Sequence, residues 1–75
     1  TLTVTDAAGT ATSYKYVKNP TARQVYGAVA AGTALTSGTT EIAVAEGDVI
    51  EVVGIASTLV ISVGYHTVAA SEIKP

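Results

Sequence analysis

Seventy-five residues with a net charge of −2 and no cysteine allow one domain, with no disulfide framework and no thiolate metal site. Charged residues make up 13% of the chain, too few for the basic field that holds nucleic acid. No window approaches the ~20 consecutive apolar residues of a membrane-spanning helix, and no stretch reads as a signal peptide.

The apolar fraction is 48%, yet Phe, Trp and Met are absent. The 11 Val, 5 Ile and 12 Thr make 28 β-branched residues of 75, stiff at χ1 and better suited to a pleated sheet than to a helix. A core of Val and Ala buries little area per residue at about 25 cal/mol per Å², so neighbouring subunits are expected to supply burial. Charge is also divided. Residues 1–37 hold Lys15, Lys18 and Arg23 against Asp6, a net of +2. Residues 38–75 hold Lys74 against Glu41, Glu46, Asp48, Glu51 and Glu72, a net of −4. That split reads either as scatter among few charges or, more sharply, as complementary faces on identical subunits that meet head to tail.

In chain order, Leu2 and Val4 alternate with threonines as a half-buried strand does. Asp6-Ala7-Ala8-Gly9 reads as a turn, and Thr10 to Lys18 as the returning strand of a first hairpin. On that strand Tyr14 and Tyr16 share one face, while Ser13, Lys15 and Val17 share the other. Asn19-Pro20 then breaks it, and two readings of residues 20–31 compete. Asn19 as an N-cap and Pro20 at the first helical position would place Ala22, Val25, Tyr26 and Val29 at helical spacing, closed by Gly32. Alternation of Val25, Gly27, Val29 and Ala31 would instead make a strand.

Gly32 to Thr40 is small, polar and turn-prone. Ile42 and Val44 alternate with Glu41 and Glu46, and Glu46-Gly47-Asp48 reverses the chain. Val49 to Ile55 is a nearly continuous apolar run broken by Glu51, the pattern of a strand covered on both faces. Ala56-Ser57 turns, Thr58 to Val63 forms another strand, Tyr65 to Ala70 extends its pairing, and residues 71–75 form a tail.

Catalytic patterns are missing. His66 has no second His or Cys to complete a metal set or a base-catalysed pair, and Glu72 is its nearest acid in sequence. Glu46, Asp48 and Glu51 lie close together but lack the alternating oxygens of a calcium loop. Neither a Walker A loop nor a G-x-G-x-x-G occurs, and no serine sits in a nucleophile elbow. Tyr14-Lys15-Tyr16 with Lys18 and Arg23 reads as a stacking platform for single strands, as a protein interface, or as a core cap with hydroxyls in water.

Residues Ala31 to Val53 (AGTALTSGTTEIAVAEGDVIEVV) resemble segments of small structural proteins of tailed-phage virions, such as head decoration and tail components. The resemblance lies in a Thr/Ala/Gly/Val bias, short strands and the Gly-Asp reversal. The same reversal is similar to those of immunoglobulin-like and carbohydrate-binding modules. The resemblance implies self-assembly or the cementing of a shell, and it transfers no functional residue.

The expected fold is a small antiparallel β-sandwich or barrel of five to six short strands in one domain, the alternative being an α+β roll of the β-grasp kind with a helix over 20–31. The expected function is a non-enzymatic structural or assembly protein, a virion component such as a capsid decoration or tail protein. No catalytic, cofactor or metal site is expected. The partner would be the chain itself or a shell subunit, in a homo-oligomer or hetero-assembly. Contact would run through Tyr14, Lys15, Tyr16, Lys18 and Arg23 on one surface and Glu46, Asp48 and Glu51 on another. That role places the chain in a virion or on an extracellular surface, with assembly in the cytoplasm also open. The second reading is a small immunoglobulin-like or carbohydrate- or peptide-binding module of a longer secreted protein.

Overall fold

A run as apolar as Val49–Ala56 needs a neighbour on each edge and cover on each face, and the rest of the chain supplies both. The computed structural model describes residues 1–4 and 11–74. The described strands are β1 (Leu2–Thr3), β2 (Ser13–Lys18), β3 (Thr33–Leu35), β4 (Glu41–Ile42), β5 (Val49–Ala56) and β6 (Leu59–Thr67), followed by a 3₁₀ turn at Ala70–Glu72. They form a four-stranded antiparallel sheet in the order β3-β2-β5-β6 and a two-stranded antiparallel ribbon, β1-β4. The mainly β, two-sheet architecture is the expected one.

The two faces of β5 divide the core. Ile50 clusters with Leu2 of β1, Ile42 of β4, Leu35 and Val68, and Tyr14, Tyr16, Val44, Val52 and Ile73 pack around them. The ribbon therefore lies over this face. On the opposite face Val53 and Ile55 pack with Val60, Val63 and Ala30. Full burial of a residue such as Ile50 contributes about 1.5–3 kcal/mol. Neither cluster is large, as expected where the filling is Val, Ile, Leu and Ala.

The β5–β6 hairpin closes on Ser57 and Thr58, both at positive φ (51° and 77°), the backbone that a two-residue hairpin turn with the sheet's own twist demands. The register slips between Gly54 and Ile55, so Ile61 is an extra residue on β6. A Cβ at Gly54 would press on the Ser62 hydroxyl and lie 3.1 Å from the Ala11 Cβ, so Ser62 would have to rotate to admit one.

Three expectations are corrected. The first hairpin does not form. Leu2 pairs with Ile42, and β2 instead pairs with β3 and β5, placing Tyr14 between Leu35 and Gly54. Burial decides this, since β2 is the strand that can flank the full length of β5. The Asp6–Gly9 turn lies outside the described residues. Residues 20–31 are neither helix nor strand, apart from a single bridge between Val29 and Leu59, which removes the β-grasp alternative. The 71–75 tail is also tied down as far as Lys74. Ile73 packs on the core, and the Lys74 N–H donates to the Thr1 carbonyl at 2.8 Å.

Candidate functional site

Glu51 alternates along β5 with Ile50 and Val52, and so faces the side that carries Val53, Val60 and Ala30. It is 0% exposed. A buried carboxylate must be met by donors, and three meet it. The Tyr65 hydroxyl, directly opposite on β6, donates to Oε2 at 2.5 Å. The Gln24 backbone N–H donates to the same oxygen at 3.1 Å, and Gln24 Nε2 donates to Oε1 at 3.2 Å.

Gln24 is itself fully engaged. Its Nε2 also donates to the Ala31 carbonyl at 2.9 Å, and its Oε1 accepts the Ala31 N–H at 2.8 Å. One side chain thus staples both ends of the 24–31 segment and fastens it to the sheet. Arg23 completes the group, its guanidinium 4.9 Å from the centre of the Tyr65 ring. That is cation–π range.

The electrostatics follow from this geometry. Burial pushes the Glu51 carboxyl up, but the hydrogen bonds from Tyr65 and Gln24, with Arg23 nearby, outweigh it and hold the group below its ordinary 4.5. Burial and then the Glu51 carboxylate push the Tyr65 hydroxyl above its ordinary 10.0, against the pull of Arg23. Glu51 is accordingly ionised near neutrality and surrounded by donors, a structural anion that clamps a loop.

The remaining candidate residues do not form the two expected surfaces. Tyr14 and Tyr16 are half-buried against the Ile50 cluster, while Lys15, opposite Val53, lies on the other face of the sheet. Lys18 donates to the Ala43 carbonyl at 3.2 Å. Arg23 stands over Tyr65. On the acidic side, Asp48 accepts the Ala45 N–H at 2.9 Å and Asn19 Nδ2 at 3.1 Å, which organises the reversal. The Ala45 bond, then Asn19, holds its carboxyl below the ordinary 3.8. Glu46 is exposed at the turn tip. Glu51, being buried, is withdrawn as a contact residue. Arg23 and Glu51, assigned to separate surfaces, belong to one cluster.

Two residues of that cluster, Gln24 and Tyr65, escaped the sequence reading. Tyr65 had a signal, since a lone Glu in a buried strand requires a donor on its neighbour. Gln24 had none. His66 and Glu72, neighbours in sequence, meet in a hydrogen bond between His66 Nε2 and Glu72 Oε1 at 2.7 Å. Glu72 also accepts the Ala69 N–H at 2.8 Å, and this bond, then His66, keeps its carboxyl below 4.5. Among the described residues, no three His, Asp or Glu side chains converge as a metal set.

Beside the cluster, Arg23, Gln24, Val25, Tyr26, Val63 and Tyr65 line an open hollow of about 470 Å³. Large apolar side chains are exposed around it and along β6, from 39% for Ile61, through Tyr65, Leu59, Tyr26 and Val25, to 72% for Val29. No protein-family model matches the chain, and no curated protein or solved structure is significantly similar to it.

Proposed function

We propose that the chain is a non-enzymatic structural subunit that packs with copies of itself into a larger lattice, of the decoration or tail kind that Ala31–Val53 resembles. The observation that carries this reading is the line of exposed apolar side chains on one flank. Val25, Tyr26 and Tyr65 surround the hollow, and Val29 pairs with Leu59 beside Ile61. Contiguous apolar surface on a small domain marks a place where protein packs. The side chains that converge nearby are absorbed in holding the 24–31 segment in place, and this supports a role without chemistry. The segment presents Val25, Tyr26 and Val29 outward because Gln24 and Ala30 are fixed inward.

The test is solution mass by light scattering after size exclusion, over a wide concentration range at low and high salt. Particles well above the 7.5 kDa monomer that persist as salt rises are expected, because apolar contact is not screened as charge pairs are. A monomer at every concentration overturns the reading.

A further inference from the structure

We infer that two copies of this chain join through their β6 edges, antiparallel and centred on Tyr65, to make one continuous eight-stranded sheet. The inference rests on the assembly reading above and names its contact.

Backbone direction along β6 sets the register. The Val68 N–H donates to the Asp48 carbonyl at 2.8 Å, so Val68 points inward, toward the β5 side. In an antiparallel ladder, inward and outward residues alternate. His66 and Gly64 therefore point inward, and Thr67, Tyr65 and Val63 point outward. Nearer the hairpin the outward side is filled: Gly27 donates to the Val60 carbonyl, Val60 to Ala28, and Ala30 to Thr58, at 2.9, 2.9 and 3.0 Å. No backbone segment among the described residues pairs with the outward groups of Val63, Tyr65 and Thr67. Residues 27–30 are thus a fragment of a fifth strand, and no other described residue fills the rest of its slot.

The open stretch is self-complementary. A two-fold axis at Tyr65 sets Tyr65 against Tyr65 of the second copy and Val63 against Thr67. All outward groups then meet outward groups, in about six inter-chain hydrogen bonds at two per facing pair. The other sheet edge, β3, is three residues long and offers no equal partner. Two of the devices that blunt natural edges, a bulge and cover by a loop, act on β6 only at its hairpin end, at Ile61 and residues 27–30, and the open stretch Val63–Thr67 contains no Lys, Pro, Asp or Glu. Charge does not oppose the pairing either. Each Arg23 near the axis is matched by its own Glu51 beneath Tyr65. Tyr65, which stands on the axis, is 40% exposed and adds side-chain contact to the backbone ladder.

This register places Gly64 opposite His66 of the second copy at a non-hydrogen-bonded pair, where Cα atoms approach to about 4.5 Å. The chain has no cysteine, and a Cβ at Gly64 meets nothing within 4 Å. On mild oxidation, an equimolar mixture of Gly64→Cys and His66→Cys is expected to form disulfide-linked dimers at least tenfold faster than either variant alone, since like positions stand diagonally, about 7–8 Å apart. Thr67→Pro removes an outward N–H and leaves the β5 ladder intact, so it should weaken self-association at least tenfold by sedimentation velocity. Thr67→Lys should do the same without touching the backbone, and it decides the matter if the proline variant loses its circular dichroism. A wild-type chain that stays monomeric overturns the assembly reading and this one with it. A wild-type chain that associates while both Thr67 variants associate equally well, or cysteines that cross-link in another register, overturns the β6 pairing alone.

Discussion

Glu51 shows how one residue can fix a segment that lacks regular structure. Its donors come from β6 and from the 24–31 segment, so an ionised carboxylate is worth most to the folded state. Because its folded pKa lies below the ordinary 4.5, the stability it contributes is complete above that ordinary value and is lost as pH falls through the folded one. Asp48 and Glu72 are lowered too and act in the same direction. Tyr65→Phe should lower the urea midpoint at pH 7, and its gap from wild type should narrow as pH falls through the folded pKa of Glu51. A gap that stays constant with pH would show that the Tyr65 hydroxyl is not holding a charge. Glu51→Gln should also bring the Tyr65 phenol back toward its ordinary titration in an ultraviolet pH scan. The sequence marks Glu51 as the odd residue in an apolar run. It cannot show that the first donor sits 27 positions upstream, because no local pattern ties Gln24 to it.

Among the elements, the nearly continuous apolar run Val49–Ile55 located β5, and the stretch from Thr58 to Val63 with its extension from Tyr65 located β6. Pairing partners were less legible. Proximity in sequence favoured a hairpin from the first two strands, whereas burial of Leu2 against Ile42 draws β1 to a partner about forty residues away. The 20–31 segment misled for another reason. Asn19, suited to capping a helix, instead takes φ of 52° and accepts the Val49 N–H at 2.9 Å, capping the entry to β5. Val25, Tyr26 and Val29, which made the helical stripe, face solvent. Gln24→Ala should therefore speed amide exchange at Gly27, Ala30 and Val60 by at least tenfold while leaving Ile50 and Val53 protected. Uniform acceleration across the chain would refute the staple. Gly32, with φ of 121°, is as demanding, since a Cβ there would lie 2.6 Å from the Tyr16 carbonyl. Gly32→Ala should cost about 1–3 kcal/mol of strain, measured by denaturant midpoint.

For the molecule as a whole, two small clusters on opposite faces of one sheet leave little reserve. Ile50→Ala should cost about 2–5 kcal/mol, a large share of the 5–15 kcal/mol that holds typical domains together. The variant is expected to be largely unfolded at 37 °C by circular dichroism. If association through β6 also stabilises the fold, its melting temperature should rise with protein concentration. A concentration-independent value for an associated wild type would separate assembly from folding.

The bond from Lys74 to Thr1 has a mechanical meaning. Residues 1 and 74 lie side by side, and β1 grips β4 through two residue pairs. Tension applied to the two ends pulls across these contacts and loads them one after another, as a zip opens. The long β5–β6 ladder is left to bear force only after the ribbon has peeled away. A lattice of such subunits would hold best where load passes from sheet to sheet, and would give way first wherever it is carried through the chain ends.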